Sequence, residues 1–294
     1  MQNTVKFTNS GSTVSTDELS GAVWDNFPIG ECIANPRRKG IFRFDDFTDL
    51  PLAPTLTTQV AFGKYKAYAA SGCTISRVSA INSVELMGGA LQIAMDTDDD
   101  EASIADAYPS YLLTGNTSNS GLLCMEFCYT QNSIATNMAA TFFGLCEVEQ
   151  YTLGANTPMN SGDAIANSGS MIGFRIEEDG LGVVDTVVSD RATSFTNIGD
   201  TEGGTIAAHT FVKYGMVYDP TKGADCITFY INNAKCATKY SKTTLQALTN
   251  LDANALGLMW AVAADSGGTS FLGSMRWWAI GQILPGNTWS SQGS

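Results

Sequence analysis

One histidine, His209, stands in 294 residues, and none of the seven cysteines forms a Cys-x-x-Cys pair. A serine, histidine and carboxylate triad would have to use His209, and no Gly-x-Ser-x-Gly elbow is present to support one. His209 therefore reads as a loop or strand-entry residue. Zinc sites of the usual kind need close thiolate pairs, so the cysteines do not suggest a metal. Their odd number excludes complete internal pairing. Cys124 and Cys128 lie four apart on a predicted strand, ~13 Å from Cα to Cα, beyond the ~7 Å that a disulfide spans. Cysteines 32, 73, 124, 128, 146, 226 and 236 are all expected as small apolar core residues.

Basic residues are scarce as well. Lys+Arg 16 against Asp+Glu 29 gives a formal charge of -13 and a pI near 4.4, which repels phosphate backbones and anionic bilayers. Neither nucleic acid nor membrane is an expected partner. No apolar run approaches the ~20 residues of a bilayer span, and the stretch Met1 to Ser12 lacks the basic and apolar regions of a signal peptide. Synthesis in a cytoplasm without a signal peptide is the expectation.

Long helical periodicity is missing too, with one exception. Leu245, Leu248 and Leu251 recur at three-residue spacing and predict a short helix or helical turn. What fills the chain instead is a succession of short β-type runs: IFRFDDF, TTQVAF, TISRVSA, ALQIAM, LLCMEFCYT, AATFFGLCEV, MIGFRI, LGVVDTVV, LGLMWAV and MRWWAIGQIL. The clearest grammar lies between Phe211 and Asn232. Val212, Tyr214, Met216 and Tyr218 share one face of a strand, Ile227, Phe229 and Ile231 share one face of the next, and Asp219, Pro220 and Gly223 supply the turn. Many short strands without interposed helices predict an all-β antiparallel sandwich, and 294 residues can form it as one domain.

Residues 1–40 differ. They are rich in Ser, Thr, Asn and Gly, carry isolated apolar residues and end in Arg37, Arg38 and Lys39. They read as an extended interaction arm, with Trp24 and Phe27 as anchors on a neighbour and the basic cluster against acidic surfaces. Residues 41–285 form the sandwich domain, and 286–294 a polar tail.

The succession FRFDDF, FGKYKAYAASGCTISRV, GGALQIAMDTDDDEASI, MIGFRI, KYGMVYDP and FLGSMRWWAIGQIL resembles the concanavalin A-like lectin/glucanase jelly roll in its laminin-G-like variety. Within that superfamily it is most similar to virion structural proteins of tailed bacteriophages. The resemblance implies a jelly-roll sandwich over roughly residues 41–284, and specifies no reaction, because such folds serve sugar binding, glycan cleavage and structural contacts alike.

Three chemical candidates stand out. Glu147 and Glu149 share a face of a predicted strand, a spacing suited to paired carboxylates in glycoside hydrolysis. The glucanase branch adds a third acid, where this chain has Gln150, Tyr151 and Thr152, so no catalytic residue is assigned and the chain is expected not to be an enzyme. Asp96, Asp98 and Asp100 match the first three positions of a calcium loop, but Glu101 replaces its glycine and Ala107 its last glutamate. They are the candidate Ca or Mg ligands, against the alternative of a solvated acidic turn. Trp260, Trp277 and Trp278 would stack on sugar rings if exposed, and adjacency puts Trp277 and Trp278 on opposite faces. The expected function is a non-enzymatic virion component, a capsid decoration or minor head protein, touching the major capsid protein or tail components and sister copies in a homo-oligomer. The alternative is a carbohydrate-binding, or less favoured glycan-cleaving, module of a tail or fibre appendage that meets host surface glycans.

Overall fold

Side chains alternate between the two faces of a strand, and in this chain both faces are largely dry. The computed structural model describes residues 18–36, 39–49, 60–70, 72–81, 84–96, 101–114, 121–134, 139–148, 169–177, 182–191, 196–199, 202, 206–263 and 270–284. Two short helices, α1 (Gly21–Trp24) and α2 (Ile29–Ala34), precede β1 (Gly40–Asp45), β2 (Val60–Phe62), β3 (Tyr65–Ala69), β4 (Thr74–Ile81), β5 (Val84–Met95), β6 (Glu101–Asp106), β7 (Tyr111–Leu112) and β8 (Leu123–Gln131). Then follow β9 (Ala140–Cys146), β10 (Met171–Ile176), β11 (Val184–Ser189), β12 (Thr196–Gly199), β13 (Val212–Tyr218), β14 (Ile227–Ile231) and β15 (Ala234–Tyr240). The chain closes with α3 (Lys242–Ala247), α4 (Thr249–Ala253), β16 (Ala255–Ala263) and β17 (Phe271–Ile283).

The strands make two antiparallel sheets, the all-β sandwich expected from the run pattern. Among the described residues the first sheet has 8 strands in the order β15-β14-β13-β8-β17-β5-β4, with β1 also on β17. The second has 9, in the order β12-β11-β10-β9-β16-β6-β3-β2, with β7 on β16. Between them lies the main core, where rings interlock across the layers. Tyr214 meets Phe143 with centroids 4.8 Å apart, and Phe229 meets Phe174 edge-on at 5.5 Å.

The hairpin read from the sequence has the expected faces. Tyr214 pairs Ile231, Met216 pairs Phe229 and Tyr218 pairs Ile227, all on the core side. Asp219 Oδ1 accepts the Thr221 N–H at 2.9 Å and the Thr221 hydroxyl at 2.6 Å, so the aspartate shapes the turn. The predicted leucine-spaced helix is α3 followed by α4, with Leu245 and Leu251 fully buried. Ser241 caps α3 through the Thr244 N–H at 3.0 Å. All seven cysteines are buried thiols, none in a disulfide. Among the described residues no helix is long and apolar enough to cross a membrane.

Some strands lie outside the run pattern. β15 follows a two-residue turn at Asn232 and Asn233, whose φ values of 48° and 68° suit the tight hairpin that asparagine tolerates. β3 follows the Gly63–Lys64 turn, with Gly63 at φ 64°. The larger correction concerns the arm. Over its described residues it is not extended: α1 and α2 pack on the outer face of the first sheet, and Trp24 and Phe27, 0% and 4% exposed, are buried against the chain's own strands.

Replacing Phe229 by Ala removes an inward ring and is expected to cost about 3–5 kcal/mol of unfolding free energy in urea. Lys239→Ala, on a half-exposed side chain paired with Asp225, should cost less than about 1 kcal/mol. Equal losses for the two would contradict the assigned faces.

Candidate functional site

Inward charges are rare in a sandwich, and β1 carries two. Arg43 and Asp45 are two apart and share the face that looks between the sheets, opposite Ile280 and Trp278 of β17. They are tolerable because β3 and β6 of the other sheet bring partners. Arg43 Nη2 lies 2.6 Å from Asp106 Oδ1, and Asp106 Oδ2 accepts the Leu258 N–H at 2.9 Å. The Tyr65 hydroxyl donates to Asp45 Oδ2 and accepts the Trp278 indole N–H at 3.0 Å. Lys64 Nζ reaches the same Asp45 oxygen at 2.8 Å, and Asp45 Oδ1 takes the Phe47 N–H at 2.9 Å. Two acids and two bases balance, so little net charge is buried.

The loops at this end are held as firmly. Phe47 is a bulky residue at φ 61°, a backbone state that persists only when its surroundings over-determine it. Its ring lies edge-on to Trp278 at 5.1 Å. The loop after β6 is tied on both sides, by the Ala107 N–H to the Lys64 carbonyl at 3.2 Å and the Ser110 N–H to the Leu256 carbonyl at 2.9 Å. Between these ties sits Tyr108, 77% exposed. Burial pushes the Tyr65 hydroxyl far above its ordinary value, and Asp45 adds to the shift against the opposing pull of Arg43. Burial also raises the Asp106 carboxyl, while Arg43 and the Leu258 N–H draw it back. Tyr65 is thus a fixed neutral donor. The end of the sandwich offers an exposed ring, a half-exposed ammonium at Lys64, and a rigid polar floor.

The residues singled out in the sequence are dispersed. Glu147 is buried and bound by Arg191, with Nη2 at 2.7 Å and Nε at 3.0 Å, and it accepts the Ser170 N–H at 2.7 Å. Burial opposes its ionisation, yet Arg191 and Ser170 outweigh that and hold the carboxyl below its ordinary value of 4.5. It is an ion-pair partner, not a poised general acid, and Glu149 lies outside the described residues. Asp96 is exposed at the end of β5, while Asp98 and Asp100 lie outside the described residues. Among the described residues no group of three or more His, Cys, Asp and Glu side chains could hold a metal. Trp260, Trp277 and Trp278 are 0%, 3% and 0% exposed, so none presents a face to sugar. Trp277 does point outward, as adjacency requires, but is covered in the cluster beneath α1 and α2. Lys39 pairs with Glu31 at 3.4 Å on the surface; Arg37 and Arg38 lie outside the described residues.

Sequence reading missed Arg43, Asp45, Lys64, Tyr65, Asp106 and Tyr108 as a group. The available signal was an arginine and an aspartate alternating with phenylalanines in FRFDDF, charges on the face that should be core.

No protein-family profile matches the chain, and no curated protein matches its sequence. Among solved structures it is similar to a protein of unknown function, SO2946 from Shewanella oneidensis MR-1, with a TM-score of 0.51 and 11% identity over 86% of this chain and 90% of that one. It is also similar to an endo-1,3-beta-glucanase from Streptomyces sioyaensis, at 0.49 and 12% over 83% and 96%, and to peanut lectin, at 0.47 and 11% over 76% and 99%. The latter two are concanavalin A-like lectin/glucanase folds. At such identities a likeness concerns the fold alone.

Tyr65→Phe leaves the Asp45 oxygen and the Trp278 N–H without their shared partner, so a loss of about 1–3 kcal/mol is expected in denaturant unfolding; no loss would contradict the buried network. For Glu147 the folded carboxyl is the stronger acid, so its stabilisation is complete above 4.5 and fades as pH falls below that value. The stability gap between the native chain and Glu147→Gln should accordingly close in acid, measured by urea unfolding from pH 7 down to 3; a gap that stays constant would refute the assignment.

Proposed function

We propose that this chain is a non-enzymatic carbohydrate-binding module, carried on an external appendage of a bacteriophage virion, and that the ligand meets the loop end around Tyr108. The observation that carries this reading is the exposed Tyr108 on a loop whose backbone is tied at both sides, through Ala107 to the Lys64 carbonyl and through Ser110 to the Leu256 carbonyl, directly after the β6 strand that carries Asp106. A ring held on a tied backbone with its apolar face in water can stack against a sugar, and polar neighbours give orientation. Binding rather than cleavage is favoured because Glu147, the one described member of the acidic pair, is committed to Arg191. The virion location rests on the sequence resemblance to phage structural proteins.

One observation favours the second reading, a capsid decoration or minor head protein acting through protein contacts. Ile33 on α2 and Phe44 on the edge strand β1 are 62% and 44% exposed, and exposed apolar residues at a sheet edge suit docking. The arm no longer supports it in its expected form, since Trp24 and Phe27 are engaged within the chain.

A glycan array with the native chain and Tyr108→Ala tests the proposal, run with calcium, with magnesium and with chelator to test the cation proposed at Asp96, Asp98 and Asp100. Loss of at least about tenfold in glycan affinity is expected for the variant, with unchanged thermal stability. Native-like glycan binding by Tyr108→Ala would remove the loop-end site, and no binding by either protein would favour the assembly reading. Binding that ignores chelator would remove the cation.

A further inference from the structure

The outer face of the first sheet is shaped like a receptor, and residues 18–36 sit in it like a ligand. The face is built in register from β13, β8, β17 and β1. One row carries Gly215, Glu126, Ala279 and Phe44, and the next carries Val217, Cys124, Gly281 and Phe42. Two glycines make holes in it. A Cβ at Gly215 would run into Val23, and one at Gly281 would run into the Phe27 ring. Between the holes lies a polar socket. Glu126 is 1% exposed, and its Oε2 accepts both the Ser20 N–H at 3.0 Å and the Trp24 indole N–H at 2.9 Å. Three further features complete the grip. Lys213 Nζ donates to the Glu18 carbonyl at 2.9 Å, Asn233 Oδ1 accepts the Ala22 N–H at 2.8 Å, and the Trp24 ring stands edge-on to Phe42 at 5.5 Å.

No strand pairing joins this segment to the sheet. It is held as peptides are held by grooves, through apolar knobs at helical spacing and a few buried polar contacts. With the segment lifted away Glu126 would meet water, but the apolar row around it would be exposed as well, so the face is better covered by an occupant that brings apolar knobs together with N–H donors for the carboxylate. An identical segment from another copy meets every one of these requirements.

We propose that the outer face of the first sheet is a peptide-docking groove, filled in a single chain by its own residues 18–36 and fitted to take the same segment from a second copy. Glu126 reads the Trp24 indole, Gly215 admits Val23, and Gly281 admits Phe27. The tethered segment acts at a local concentration on the order of mM, so filling within one chain dominates in dilute solution. Exchange becomes competitive where copies are crowded together. This inference is independent of the loop-end glycan site.

Complementary variants test it in the full-length chain. Trp24→Ala with Phe27→Ala leaves a groove without a competent occupant, and Gly281→Val leaves a competent occupant without a groove. Each alone should stay monomeric in sedimentation, while an equimolar mixture should form a 1:1 complex. A mixture of folded variants that does not associate at about 100 µM would overturn the proposal. Should either variant fail to fold, a protease site placed between Asn35 and Lys39 of the otherwise native chain serves instead. After cutting, a labelled synthetic peptide of residues 18–36 is expected to displace the severed segment, and the same peptide with Trp24→Ala at least about tenfold less well. Unfolding on loss of the segment, or no displacement by excess peptide, would show that these residues are inseparable core.

Discussion

A strand whose two faces are both removed from water needs a cover on each side, and this requirement organises the molecule. β8 is buried at all nine positions, and β9, β10 and β11 are buried throughout. The inner faces meet one another. The outer face of the first sheet over β13, β8 and β17 is covered by α1 and α2, which is why a segment so polar in composition is nonetheless part of the fold. Polar groups caught between covered faces must find partners at home, hence Glu126 beneath Trp24 and Arg175 at 2.7 Å from Asp185.

The same requirement explains the loop end. Arg43 and Asp45 point between the layers because alternation along β1 leaves them no other direction. They are stable only at the rim, where β3 and β6 present Tyr65 and Asp106. The loop that follows Asp106 is tied by backbone hydrogen bonds on both sides of the exposed Tyr108. The network that neutralises the buried charge and the tied loop carrying the exposed Tyr108 thus belong to the same end of the sandwich.

Legibility followed the range of the signal. The β13–β14 hairpin was readable because two faces and a turn fall within twenty-odd residues. β15 and β3 were hidden although their turns, Asn232–Asn233 and Gly63–Lys64, are good two-residue hairpin turns, because their strands carry lysines and alanines in place of branched residues. The N-terminal segment misled for another reason. Val23, Trp24 and Phe27 have the spacing of one helical face, but over so short a stretch that the abundance of Ser, Thr and Asn outweighed it. Helices this short have no stability of their own and exist only where a sheet receives them.

By itself the sequence determined the all-β class, the inward faces of the main hairpin, the burial of the thiols and the opposed directions of Trp277 and Trp278. The hairpin faces and the tryptophan directions follow from alternation between neighbours along the chain, the class and the thiol burial from composition and motif spacing. Only the tertiary structure decided that Trp277 would be covered, that Glu147 would be spent on Arg191, and that Arg43, Tyr65, Asp106 and Tyr108 would share one end. Those outcomes depend on which distant strands pair and in what register, a property of the assembled sheets that no local pattern encodes.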